Sequence, residues 1–156
     1  MFKKILIPTD GSPLSVQAAN AGVCFARSVG AEVVALNVMQ PFAATIGFDG
    51  MAAAYAITDE DYEKASADQA QRYLKQVTDR AQTAGVPSKS LAVTNFNVAD
   101  GIVQAAAESH CDLIFIGSHG RSGLSRLLLG SVTAKVLSLA QTAVLVYRVK
   151  EEKDKA

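Results

Sequence analysis

A glycine-rich segment that could bind phosphate follows the short apolar run at residues 113–116. It reads GSHGRSGLSRLLLGS over residues 117–131 and contains four glycines and two arginines. Gly130 and Ser131 stand in front of a predicted helix, whose first unpaired N–H groups can bind an anion while the serine hydroxyl adds a donor. The segment is therefore a candidate phosphate site, and the alternative is a plain connection between a strand and a helix.

The spacing of these glycines excludes two common phosphate-binding motifs. No GxxxxGK[ST] is present, so the segment is not a Walker A loop. The first predicted turn reads Asp10-Gly11-Ser12, so the dinucleotide-binding GxGxxG is absent there as well. Gly117 and Gly120 would allow unusual backbone dihedrals at the strand end and would leave room for a ligand.

Strands and helices alternate along the chain. Apolar, β-branched runs predict strands at residues 4–9, 32–39, 90–96, 111–116 and 143–149. Helical periodicity and N-capping residues predict helices that begin near Pro13, Thr58, Asn97 and Ser131. Near-continuous apolar strands joined by helical crossovers are typical of a parallel sheet covered on both faces. We therefore predict an open, doubly wound α/β fold with five parallel strands in the order 3-2-1-4-5 and helices on both faces.

Three predicted loops converge on one edge of this sheet. In open α/β sheets the ligand crevice lies beyond the carboxyl ends of the strands, where the winding reverses. Residues 8–12, the residues from Met39 onward and the glycine-rich segment all leave strands at that edge. Residues 40–57 form a long, apolar connection, which predicts either a cover for the sheet edge or a lid or partner-binding segment.

The composition limits the classes of partner. The chain has 156 residues with 15 basic and 15 acidic side chains, which argues against overall attraction to nucleic acid or to an anionic membrane. We expect one domain over residues 1–149 and a charged tail over residues 150–156. No run approaches the ~20 apolar residues of a membrane span and no signal peptide is present, so we expect a cytoplasmic protein. Cys24 and Cys111 lack metal-ligand spacing and are expected in the core.

The pattern G-x2-G-x9-G-[ST], formed here by Gly117, Gly120, Gly130 and Ser131, resembles the nucleotide site of the ATP-binding branch of the universal stress proteins. The resemblance covers nearly the whole chain, from KILIPTDGS through CDLIFIGSHGRSG and LLLGSVTAKVL to AVLVYRV. It implies a protein that binds ATP, with Mg²⁺, and acts as a nucleotide-dependent regulatory or stress-survival module. It also implies a homodimer that pairs through the last strand, residues 143–149.

The same resemblance implies three groups of ligand-binding positions. These are Pro8, Thr9, Asp10 and Val38 around the base and ribose, Ile116 and Gly117 beside the ribose, and Gly120, Gly130, Ser131 and Val132 at the phosphates. Arg121 and Arg126 could reach a triphosphate and offset its charge, and the alternative for each is a solvated surface position.

Asp10 and His119 leave other functions open. Asp10 could contact the ligand or assist a metal ion, or it could close an Asx turn with Ser12. His119 has no identified nucleophile or carboxylate partner, so no catalytic residue is assigned. A slow ATPase or phosphotransferase that uses either residue is one alternative function. The other is a partner-binding stress protein in which residues 42–55 contact another protein and nucleotide is incidental.

Overall fold

The computed structural model describes residues 1–46, 58–119 and 129–148. Its elements are, in chain order, β1 (Lys4–Pro8), α1 (Pro13–Val29), β2 (Glu32–Met39), α2 (Phe42–Ile46), α3 (Asp59–Thr83), β3 (Ser88–Thr94), α4 (Val98–Glu108), β4 (Leu113–Gly117), α5 (Ser131–Leu139) and β5 (Ala143–Tyr147). These strands form one parallel sheet in the order β3-β2-β1-β4-β5, which confirms the predicted fold class and strand order. Among the described helices, none combines the length and the apolar composition needed to cross a membrane.

The sheet separates two hydrophobic cores because alternate side chains of each strand point to opposite faces. Ile5 and Ile7 of β1 pack with residues of α1 and α3 on one face, whereas Leu6 packs with residues of α4 and α5 on the other. Every residue of β4 is buried. Helices therefore cover both faces, and the loops that follow β1, β2 and β4 meet at one edge of the sheet.

Local capping signals set the helix ends that the sequence predicts. The Ser12 side chain accepts a hydrogen bond from the Ser15 N–H at 3.2 Å, and Pro13 begins α1. The Asn97 side chain caps α4 in the same way. At the other end of α1, Gly30 has φ 69°, a left-handed conformation that glycine adopts without strain.

The third strand lies two residues earlier than predicted. It begins at Ser88, and its register against β2 places Thr94 opposite Met39. Beyond this pair the chain turns into the cap of α4, where the Asn97 N–H donates to Asn95 Oδ1 at 2.9 Å. The turn that Asn95 and Asn97 form therefore ends β3 before the apolar pattern of the sequence ends.

Smaller differences occur at β4 and in the segment after β2. The fourth strand begins at Leu113 rather than at Cys111, because the Cys111 N–H donates to Ala106 O at the end of α4. The short helix α2 occupies part of the segment that was predicted to be irregular. The final strand ends at Tyr147, so its predicted extension to Arg148 is wrong. Most of the predicted cover or lid segment, Val149 and the charged tail lie outside the described residues.

The two cysteines differ in exposure. Cys111 is 7% exposed, and burial raises the pKa of its thiol to about 11 because the thiolate would be poorly solvated there. Cys24 is exposed on α1, so the prediction that places it in the core is wrong. The reason is the phase of the helix, since Val23 and Ala26 face the sheet instead.

We expect a thiol reagent at neutral pH to label Cys24 rapidly and Cys111 only when the protein unfolds. The thiolate is the reacting species, and the buried Cys111 thiol stays protonated far above neutral pH. Counting fast and slow thiols tests this, with Cys24→Ser as the control that should remove the fast one. Two fast thiols in the folded protein would contradict the burial of Cys111.

Candidate functional site

A cavity of about 440 Å³ opens at the carboxyl ends of β1, β2 and β4. Its walls come from the loops that follow these strands, from α3 and α4, and from the first turn of α5. The volume falls within the range of about 300–1,000 Å³ that is usual for small-molecule sites. The position agrees with the crevice expected where a doubly wound sheet reverses direction.

This cavity brings together all the predicted binding residues that lie within the described part of the chain. They are Pro8, Thr9, Asp10, Val38, Ile116, Gly117, Gly130, Ser131 and Val132. Gly120, Arg121 and Arg126 lie outside the described residues. Three separate segments therefore surround one cavity, and their contact with a ligand remains a prediction.

Hydrogen bonds among its own residues hold the turn after β1. The Thr9 hydroxyl accepts from the Gly11 N–H and contacts the Ser15 hydroxyl, both at 3.2 Å. Asp10 Oδ1 accepts from the Ser12 N–H at 3.0 Å, which forms the Asx turn considered as an alternative for this residue. Because Asp10 also lines the cavity, the turn does not exclude contact with a ligand.

The N-terminus of α5 is tied to the end of β4. The Gly130 N–H donates to Ser118 O at 2.8 Å. The Thr133 hydroxyl donates to Gly117 O at the same distance of 2.8 Å. No side chain caps α5 at Gly130, and the first turn of the helix lines the cavity. A helix N-terminus that opens into a cavity favours an anion through its N–H groups and its dipole.

Gly117 serves packing rather than an unusual backbone conformation. The glycines with positive φ among the described residues are Gly11, Gly30 and Gly85, so the unusual dihedral predicted at Gly117 is wrong. A Cβ atom added at Gly117 would lie 3.1 Å from the Ala18 Cβ atom. The missing side chain therefore lets α1 approach β4 closely, and the predicted room for a ligand beside Gly117 stays a prediction.

One wall of the cavity was not predicted from the sequence. Tyr62, Ser66, Gln69 and Tyr73 of α3 line it, and we call them the α3 polar stripe. Their spacing of four, three and four residues places them on one helix face, which is the signal that could have identified them. The Gln69 amide donates to the Tyr73 hydroxyl at 2.6 Å. The Tyr62 hydroxyl donates to Gln40 O at 3.2 Å, which links the stripe to the end of β2.

His119 lines the cavity beside the end of β4. Its Nδ1 atom lies 3.1 Å from the Ser118 hydroxyl, whereas Nε2 is buried without a hydrogen-bond partner among the described residues. Ser118 is 3% exposed and is not part of the cavity lining. The pair therefore does not present a nucleophile to a bound ligand.

Comparison with known proteins identifies the family to which this chain belongs. The universal stress protein family model matches residues 1–148. The chain belongs to this family. It is 35% identical to universal stress protein MJ0531 of Methanocaldococcus jannaschii, over 95% of this chain and 83% of that protein. It is 30% identical to universal stress protein YxiE of Bacillus subtilis, over 95% of this chain and 100% of that protein.

Solved structures of the family share the fold. The structure of MJ0577 from Methanocaldococcus jannaschii has a TM-score of 0.79 at 26% identity, and the match covers 97% of this chain and 99% of that chain. A universal stress protein in complex with cAMP has a TM-score of 0.65 at 25% identity, with 94% and 97% coverage. The family resemblance seen in the sequence is thereby confirmed.

The cavity of this universal stress protein has two chemically different ends. On the α3 side its polar lining groups are neutral amides and hydroxyls, and at the other end α5 presents the positive end of its dipole. Asp10 is the carboxylate of the described lining, and no cluster of three metal-ligating side chains occurs among the described residues. One end therefore suits a neutral hydrogen-bonding group, and the other suits an anion.

Proposed function

We propose that this universal stress protein binds ATP in the cavity and acts as a nucleotide-dependent regulatory or stress-survival module. The observation that carries the proposal is the convergence of nine predicted family positions on one cavity of about 440 Å³. The complex of a related universal stress protein with cAMP supports an adenine nucleotide as the class of ligand. ATP is chosen because the intact glycine pattern resembles the ATP-binding branch of the family.

The two ends of the cavity orient the nucleotide. The phosphates belong at the first turn of α5, where Gly130, Ser131 and Val132 meet the positive end of the helix dipole. The base belongs beside Val38, near the carboxyl ends of β1 and β2. In this orientation Asp10 lies between the base and the phosphates, within reach of the ribose.

Mg²⁺ fits this arrangement as an ion held mainly by the nucleotide. In proteins Mg²⁺ usually binds phosphate oxygens together with one or two carboxylates and keeps several waters. Asp10 is the described lining residue that could supply a carboxylate. The ion would neutralise part of the charge of the phosphates, and it would need no protein cage.

Binding rather than turnover is the proposed task. Phosphoryl transfer requires a group that activates the nucleophile and cations that stabilise the transferring phosphoryl. Among the described residues, the histidine of the lining contacts a serine that lies outside the cavity. Slow hydrolysis remains the alternative, and it predicts turnover that disappears on His119→Ala or Asp10→Asn while binding persists.

Calorimetric titration of nucleotide-stripped protein tests the proposal directly. ATP with Mg²⁺ is expected to bind saturably and at least about 10-fold more tightly than adenosine, because hydrogen bonds to charged groups contribute about 1.5–3 kcal/mol each. Equal affinities for ATP and adenosine would contradict the placement of phosphates at α5. Failure of both ligands to bind would reject nucleotide binding as the function.

The exposed edge of β5 supports a homodimer as part of the proposal. This strand lies at one end of the sheet, and Tyr147 is 38% exposed there. An unpaired edge of apolar residues is normally covered or paired. The Ser118 N–H donates to Tyr147 O at 2.8 Å, so the Tyr147 backbone faces β4. Because successive residues of a strand direct their backbone groups to opposite sides, the Val146 N–H faces the free edge.

We expect Val146→Pro to convert the dimer to a monomer. Proline removes the outward N–H group and leaves the backbone bonds of Tyr147 to β4 in place. Val146→Ala is the matched control, because it shortens the same side chain and retains the N–H. Sedimentation equilibrium measures the result, and a Val146→Pro protein that stays dimeric would argue against pairing through β5.

A further inference from the structure

The Asn37 side chain is a buried polar group on the cavity wall. It is 8% exposed and lines the cavity at the end of β2, next to Val38. Its Nδ2 atom donates to Thr9 O at 2.8 Å. No other hydrogen bond of this carboxamide is formed within the described part of the chain.

The contact with Thr9 decides which way the carboxamide points. A main-chain carbonyl can only accept a hydrogen bond, so the amide nitrogen must face Thr9 O. The Oδ1 atom is therefore an acceptor that lacks a donor among the described residues. Among the described side chains, the fully buried polar atom without a partner is His119 Nε2, so Asn37 Oδ1 is open to solvent from the cavity. A donor of a bound ligand would replace the water that pairs with this oxygen.

The surroundings of Asn37 define the kind of donor. The neighbouring wall is formed by the α3 polar stripe and Ala70, and none of these side chains carries a charge. The Tyr62, Ser66 and Gln69 side chains of this wall are partly or fully exposed, so the pocket is neutral and partly open. An acceptor there pairs with a neutral donor such as an N–H group. A phosphate offers only acceptors near neutral pH, so it is excluded as the partner of Oδ1.

We propose that Asn37 Oδ1 accepts a hydrogen bond from the exocyclic amino group of the bound base. This inference rests on the proposed nucleotide function and adds a residue that selects the base. A 6-amino purine presents a donor to Oδ1, whereas a 6-oxo purine presents a second acceptor, which Oδ1 repels. Asn37 therefore makes the site select adenine over hypoxanthine or guanine nucleotides.

The test compares ATP with ITP, which differ at position 6 of the purine and in the hydrogen on N1. The unaltered protein is expected to bind ATP at least about 10-fold more tightly than ITP, which is the effect of one hydrogen bond together with an unpaired acceptor. Asn37→Ala should bring this ratio close to one by weakening ATP while leaving ITP unchanged or tighter. Structural damage alone would weaken both ligands together and keep the ratio.

Two controls keep the test decisive. Gln104→Ala removes an exposed carboxamide of α4 that does not line the cavity, and it should leave the ATP to ITP ratio unchanged. Purine riboside triphosphate lacks the amino group, and the unaltered protein should bind it about 10-fold more weakly than ATP. Equal binding of these two ligands would overturn the inference even if Asn37→Ala does not fold.

The outcomes separate this inference from the function on which it rests. If the unaltered protein binds ATP and ITP equally, or if Asn37→Ala keeps the ratio, Asn37 does not select the base although nucleotide binding stands. A ratio that falls only in Asn37→Ala supports the assignment. If the unaltered protein binds none of these nucleotides, the proposed function and this inference both fail.

Discussion

Gly130→Val is expected to weaken ATP binding by roughly 100-fold or more while leaving the protein folded. A hydrogen bond to a charged group contributes about 1.5–3 kcal/mol, so loss of two such bonds to phosphate accounts for this factor. Gly130 is the N-cap of α5 and lines the cavity. A side chain at an N-cap lies over the N–H groups two and three residues later, and a branched apolar side chain would cover them.

The backbone at Gly130 does not require glycine. Its φ of −59° and ψ of 149° lie in a region that every L-residue adopts. The Gly130 N–H also keeps its bond to Ser118 O after substitution, because that bond uses only the main chain. Loss of a favourable N-cap should cost about 0.5–1 kcal/mol, so the melting temperature should fall by only a few degrees.

Calorimetric titration of Gly130→Val with ATP measures the effect, and adenosine provides an internal check. Adenosine affinity should change little, because the substitution acts at the phosphate end of the cavity. Ala134→Val is the matched control, since it places the same final side chain at an exposed position one turn further along α5. ATP affinity that survives Gly130→Val would show that the phosphates do not lie at the α5 terminus.

The fold could be predicted from the sequence because its signals are local. Ser12 and Pro13 mark the start of α1 through a cap that forms in the structure. Apolar runs long enough to be strands match the five observed strands to within two residues at their starts. Where the prediction failed, a nearby cap or turn ended the element, as Asn95 does after β3.

The site was only half predictable, because part of it depends on tertiary contacts. The glycine pattern identified the α5 end, which has a family signature. The α3 polar stripe had no such signature, since the first three turns of α3 bury no residue and their sequence resembles any solvated helix. Gly117 carried a misleading signal, because its conformation is ordinary and its absent side chain serves the contact with Ala18.

Gly11→Ala is expected to lower the free energy of unfolding by about 2–5 kcal/mol, for two separable reasons. Gly11 has φ 74°, a left-handed conformation in which a Cβ atom costs about 1–2 kcal/mol. A Cβ atom there would also overlap the aromatic ring of Tyr73 on α3. Forcing an extra methyl into a packed contact costs about 1–3 kcal/mol more, because the ring or the turn must move.

Gly30→Ala separates these two costs. Gly30 has φ 69°, nearly the same conformation, but no atom lies within 4 Å of a Cβ built there. It should therefore cost only the conformational part, about 1–2 kcal/mol. Urea unfolding of the two variants gives the difference, which measures the overlap with Tyr73.

A double-mutant cycle assigns that difference to the ring. If the overlap is the cause, Gly11→Ala should cost about as little as Gly30→Ala when it is made in a Tyr73→Ala background, because the ring is gone. The same contact joins the turn after β1 to the α3 polar stripe, so Gly11→Ala should also displace one wall of the cavity. If Gly11→Ala and Gly30→Ala lower the free energy of unfolding equally, the Tyr73 ring moves aside without a measurable cost. The α3 polar stripe would then not be tightly packed against the turn after β1.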